Sequence, residues 1–235
     1  MRRILNIFVA SVFIASMVFT SCSDISVSDE RSNAVETSGS FGKYSDFGSG
    51  LKSQLDEAYT NAAQRAAADN EAIELSEGDY LVLGENESTS DILKENGYIS
   101  EAASAYIEKI EALFDTESNI ESLNEKITAI EQEVMTNLSD KDLDTVMYYA
   151  EATKAGASYF ADKEDSTGAR FSLGSLGSRI KNAAVSFAIN ATIGAISSII
   201  VGSPLPAIII TAVTLGCYAA IVAYINGEVV IITNF

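Results

Sequence analysis

Apolar residues three and four apart divide the chain into a series of helical stripes. Leu51, Leu55, Ala58, Ala62 and Ala66 put one apolar edge on a helix that ends near Asn70. Between Glu71 and Ser90 the pattern fails, and Tyr80-Leu81-Val82-Leu83, bracketed by Gly78 and Gly84, reads as a short strand or a loop that plugs the core. Periodicity returns with Ala103, Ile107, Ile110 and Phe114 behind Ser100, an N-cap residue type. Ile120, Leu123, Ile127, Ile130 and Val134 follow a capping-box spacing from Ser118 to Glu121. Leu143, Val146, Ala150, Thr153, Ala157 and Phe160 repeat the stripe after Ser139 and Asp142, so these last two helices are antiparallel, joined near Asn137 to Asp140. The stripes predict an all-α fold whose first part is an acidic helical bundle over 51–165, with the Glu and Asp of the opposite faces as solvated surface.

After Phe160 the pattern gives way to small and polar residues, and 166–178 reads as an exposed, flexible linker. From Asn182 to Gly227 there is no Asp, Glu, Lys or Arg, and the run is cut by Gly202-Ser203-Pro204-Leu205-Pro206. At 1.5 Å per residue, the ~20 residues before this break and the ~19 after it each match a hydrocarbon thickness of about 30 Å. A hydrophobic helical hairpin with a tail is expected over 179–235, with Gly202, Pro204 and Pro206 making its turn. Ala184, Ala188, Ala191, Ala195, Ser198 and Gly202 give the first helix a small face, answered by Ala212, Gly216 and Ala220 on the second. Phe187, Ile189, Ile193, Ile196 and Ile199 are then directed mostly elsewhere, toward lipid or a covering protein. Asn182, Ser186, Asn190, Thr192, Ser197 and Ser198 dilute the first helix, which favours conditional insertion over a permanent anchor. Two permanent transmembrane helices, or a hairpin buried in a soluble core, stay open as alternatives. Val229 to Phe235 reads as a short apolar C-terminal strand.

The remaining chemistry sits at the N-terminus. Arg2 and Arg3 precede an apolar run from Ile4 to Val18, which predicts an export signal over 1–21. Phe19-Thr20-Ser21-Cys22 resembles the bacterial lipoprotein box, departing from it at Phe19, which implies lipidation of Cys22. Residues 22–50 are mostly small and polar and read as a flexible tether; Asp24, Asp29 and Glu30 loosely resemble a surface-export signal. Cys217 is the one other cysteine, so no disulfide framework is expected. There is no His, which excludes His-based triads and most zinc sites. No nucleophile-and-base constellation, phosphate loop or metal spacing stands out, and neither an enzyme nor a cofactor is expected.

Charge completes the division. The chain carries a net charge of -18, which argues against a nucleic-acid partner. Beyond Arg170 only Arg179, Lys181 and Glu228 are charged, so the composition changes completely there, and cutting after Arg170 separates an acidic fragment from a membrane-competent one.

A helical soluble part followed by a charge-free hairpin is similar in plan to the pore-forming domains of colicins, over Asn182 to Ile225. Cys22, Arg170 and the small-residue hydrophobic C-terminal part together resemble the proteolytically activated antimicrobial toxins of the Bacteroidales. That resemblance implies export and cleavage by a clostripain-like, Arg-specific protease into two fragments that both contribute to killing related bacteria. It makes Arg170 the processing site, with Arg179, which abuts the helix, as the second candidate. The implied partners are that protease, the membrane of a neighbouring cell and a surface receptor, and the two fragments can remain associated. A structural or binding lipoprotein with a permanently embedded hairpin, and an immunity factor, are the rival readings.

Overall fold

In the computed structural model, residues 36–68, 80–83, 88–166 and 177–232 are described. The all-α expectation holds: the described residues form seven helices and one two-stranded antiparallel sheet. The signal segment, Cys22, residues 22–35 and Arg170 lie outside the described residues.

Helix α1 runs from Glu36 to Ala68, so the expected tether over 22–50 is corrected for its last part. The stripe of Leu51 and Leu55 continues upstream through Phe47 and Tyr44, and all four are buried. Lys43 Nζ lies 2.8 Å from Asp144, and the Tyr44 hydroxyl donates to the same carboxylate. The glycines that made this stretch look like a linker are contact points. A Cβ at Gly48 would overlap the Glu151 carboxylate, and one at Gly50 would overlap the Ile209 side chain. Each interior glycine costs about 1 kcal/mol against Ala in helix propensity; close packing of α1 on its neighbours is the return.

The next helices follow their stripes. Helix α2 spans Thr89–Glu95, capped by Ser88, and α3 spans Glu101–Thr116, capped by Ser100. Helix α4, Ile120–Asn137, is capped by Asn119 and not by Ser118, a correction of one position. Asn119 Oδ1 accepts from the Ser122 amide at 2.8 Å. Buried Glu117 instead takes the Ser122 hydroxyl and, at 2.5 Å, the Lys126 ammonium. Helix α5, Asp140–Ser166, continues past Phe160 and absorbs the first residues that read as linker-like.

Helix α5 is the mast of the molecule, with α1, α3 and α4 packed on it. The expected hairpin forms as α6, Ser178–Ile200, and α7, Leu205–Asn226. Helix α6 lies against α5 and α7, and α7 also packs on α1. Strand β1, Tyr80–Val82, pairs antiparallel with β2, Val230–Ile232, in the register Leu81 to Ile231. The segment around Tyr80 is thus a strand, and its partner is the expected C-terminal one. One hydrophobic core joins Tyr44 of α1 to Ile231 of β2, with the hairpin inside it.

Candidate functional site

The hairpin turn uses the residues its chemistry demands. Gly202 has φ 76, in the left-handed region, where glycine is at ease. Pro204 caps α7 and Pro206 falls in its first turn, where a missing N–H is no loss. Gly227, φ 75, ends α7, and its amide donates to the Ala223 carbonyl at 2.8 Å. Arg179 is exposed in the first turn of α6, whereas Lys181 reaches Asp115 of α3 at 2.8 Å.

Both helices are long and apolar enough to cross a membrane, yet 83% of the most apolar window of α6 and 67% of that of α7 are buried inside the protein. Ala184, Ala188, Ala191 and Ala195 are all buried, as are Ala212, Gly216 and Ala220. A close approach of the two helices runs beside that small face, through Gly194, which the sequence reading passed over. A Cβ there would stand 3.3 Å from the Ala212 Cα and 2.9 Å from Leu215 Cδ1. Gly194 lies three residues beyond Ala191, the only signal that could have found it.

Phe187 is directed into the protein. Its ring fills a slot between two glycines: a Cβ at Gly216 would lie 2.7 Å from Cδ2, and one at Gly156 of α5 would lie 3.0 Å from Cδ1. The absence of a side chain at Gly156 of α5 and at Gly216 of α7 makes room for the Phe187 ring of α6. A single ring therefore keys the hairpin to the bundle.

The polar residues that dilute α6 are organised. Asn182, Ser186 and Asn190 stand four apart on one line of the helix. Asn182 Nδ2 donates to the Gly227 carbonyl at 2.6 Å, and Ser186 Oγ accepts from the Val230 amide at 2.9 Å. Asn190 donates to the Val230 carbonyl and accepts from the Ile232 amide, both at 2.9 Å. This line of side chains acts as a substitute strand along the inner edge of β2. The same Asn190 amide also donates to the Ser186 carbonyl at 2.7 Å, and Thr192 donates to the Ala188 carbonyl at 2.7 Å.

The cover holds one buried charged cluster that the sequence reading placed on the surface. Glu131 of α4 is only 1% exposed, 2.8 Å from Lys154 of α5, which also meets Glu151 at 2.9 Å. Burial pushes the Glu131 carboxyl up to about 7, against the pull of Lys154. Its place four residues after Ile127, on the buried edge of α4, was the readable clue. Among the described residues no group of three or more Cys, Asp or Glu is arranged to hold a metal ion.

At the turn the cover ends. Ile200 is 59% exposed and Val201 51%, and they are two of the three large hydrophobics that stand exposed among the described residues. Fold and site together define an all-α protein built around an internal helical hairpin, free of charge from Asn182 to Gly227, with an apolar tip in solvent. Comparison with protein-family models, curated proteins and solved structures gives no match.

Proposed function

We propose that this chain is an exported antibacterial toxin, anchored by a lipid on Cys22, that carries its hairpin in stored form. Cleavage after Arg170 by an Arg-specific protease severs the hairpin from the acidic cover. After docking on a surface receptor, α6 and α7 enter the membrane of a neighbouring bacterium and dissipate its gradients. No cofactor is required.

The observation that carries this reading is the apolar hairpin of spanning length, free of charge from Asn182 to Gly227, packed against an acidic bundle with its apolar turn pointing out. Covering removes apolar surface from water at about 25 cal/mol per Å², which makes the hairpin soluble during export. An exposed Ile200-Val201 tip gives the first contact with lipid. Arg179 serves poorly as the processing site, because a protease cleft takes an extended segment and Arg179 is helical. That leaves Arg170.

A second reading, a binding lipoprotein whose soluble core happens to be this hairpin, draws on the burial of α6 and the internal bonding of its polar groups. The cover itself speaks against a hairpin that lies permanently in lipid. Arg170→Ala separates the readings: we expect the two-fragment pattern and growth inhibition of sensitive strains to disappear together. Full toxicity from the uncut variant would overturn activation by cleavage, and no inhibition from either cut or uncut protein would favour the binding role.

A further inference from the structure

We propose that the C-terminal strand β2 is the latch of the stored hairpin, and that β2 must leave α6 and β1 before the hairpin enters a membrane. The proposal rests on the insertion reading above and adds the step that controls it. Leu83 N donates to the Val229 carbonyl at 3.0 Å. In an antiparallel ladder bonded pairs alternate, so Leu81 and Ile231 are the next pair to exchange bonds with β1. Val230 and Ile232 then turn their N–H and C=O groups to the other side. There they meet Ser186 and Asn190, at the distances given above. Strand β2 is therefore held on both edges, by β1 of the bundle part and by α6 of the hairpin.

The two sides of this clasp differ in what they lose on opening. Asn190 keeps a partner within its own helix, the Ser186 carbonyl, and Thr192 is bonded to its own helix throughout. Helix α6 thus retains local bonds for these groups when β2 departs, as a helix in lipid must. The freed backbone of β2 is satisfied by water. Because β1 precedes Arg170 and β2 follows it, the clasp also spans the two fragments, and a cut at Arg170 leaves it closed.

The test uses the full chain with Cys22→Ser, in which buried Cys217 of α7 is the only thiol and reports hairpin opening. Asn190→Ala removes both bonds of that side chain to β2. We expect Cys217 to react with a maleimide roughly 30-fold faster, which is about 2 kcal/mol at 1.4 kcal/mol per tenfold, while amide exchange in α4 keeps its parental rate. An unchanged thiol rate, or α4 accelerating in step with Cys217, would overturn the latch. Should Asn190→Ala not fold, Val82→Cys with Val230→Cys closes a disulfide between facing strand residues. Mass spectrometry of Cys217 should then show slower labelling when the disulfide is closed than when it is reduced, and equal rates would overturn the proposal. In dye-filled phosphatidylethanolamine and phosphatidylglycerol vesicles, the cut protein should leak dye only after reduction. Leakage with the disulfide closed refutes the latch but not insertion; leakage in neither state, with Cys217 responding as expected, refutes insertion but not the latch.

Discussion

Adding one methyl group at Gly216 should destabilise the protein, and removing the Phe187 ring should relieve most of that effect. The new Cβ would lie 2.7 and 2.8 Å from Phe187 Cδ2 and Cε2, and 3.0 Å from the Phe187 carbonyl oxygen. Ordinary carbon contacts need about 3.5–4.0 Å. The ring must therefore retreat by the better part of an ångström, but Gly156 closes the far side of the slot. Overpacking of this kind costs about 1–3 kcal/mol, and Gly→Ala in a helix returns about 1 kcal/mol of propensity. Gly216→Ala should thus lose up to about 2 kcal/mol in urea unfolding followed by far-ultraviolet circular dichroism. Phe187→Ala alone should lose about 3–5 kcal/mol, the usual range for a fully buried ring. In the Phe187→Ala background the ring contacts are gone and only the backbone carbonyl contact at 3.0 Å remains, so Gly216→Ala should fall within about 1 kcal/mol of neutral. The quantity that decides is the coupling of the double-mutant cycle. If Gly216→Ala costs the same with and without the ring, Phe187 does not key α6 to α5 and α7.

Three further outcomes follow from the cover and the tip. Because the folded-state pKa of Glu131 is raised from its ordinary 4.5 to about 7, its proton stabilises the fold below pH 4.5, and that contribution fades as pH rises to about 7. At 1.36 kcal/mol per unit it is of order 3 kcal/mol; Glu131→Gln should flatten urea-unfolding stability between pH 5 and 8, and an unchanged slope would remove Glu131 as its source. Asn119→Ala should cost about 1 kcal/mol as the loss of the α4 cap, while Ser118→Ala costs under about 0.5 kcal/mol; the reverse order in thermal unfolding would restore the capping box. Val201→Asp, at an exposed turn, should change stability by less than about 0.5 kcal/mol yet abolish dye leakage, since a charge in the hydrocarbon costs about 3 kcal/mol; undiminished leakage would mean that the tip does not lead.

Much of this architecture is legible from periodicity, for a definite reason. Helices α3 and α4 bury one stripe each, so their apolar spacing reports their packing directly, whereas α5 is buried without a break over 145–153 and its stripe shows only part of its contacts. The hairpin is legible because absence of charge over two spans, and the Gly-Pro break between them, need no partner to be seen. What was misread depends on partners distant in sequence. The glycines of α1 look like linker until Glu151 and Ile209 are brought beside them. Strand β1 is three residues long, and nothing local states that its partner lies at Val230–Ile232. Glu131 looks like any surface glutamate until Lys154 closes over it. The spacing of Asn182, Ser186 and Asn190 was visible throughout, but as dilution of a span; only the strand they hold gives the spacing its meaning. Cys22 and Arg170 rest on sequence alone.

The central claim, a stored hairpin made competent by a cut after Arg170, is tested most directly by dye release from phosphatidylethanolamine and phosphatidylglycerol vesicles. Wild-type protein would be measured uncut and after treatment with an Arg-specific protease, beside Arg170→Ala treated identically. The account predicts release by the cut wild-type protein alone. Equal release from the uncut protein, or none from the cut one, would contradict it.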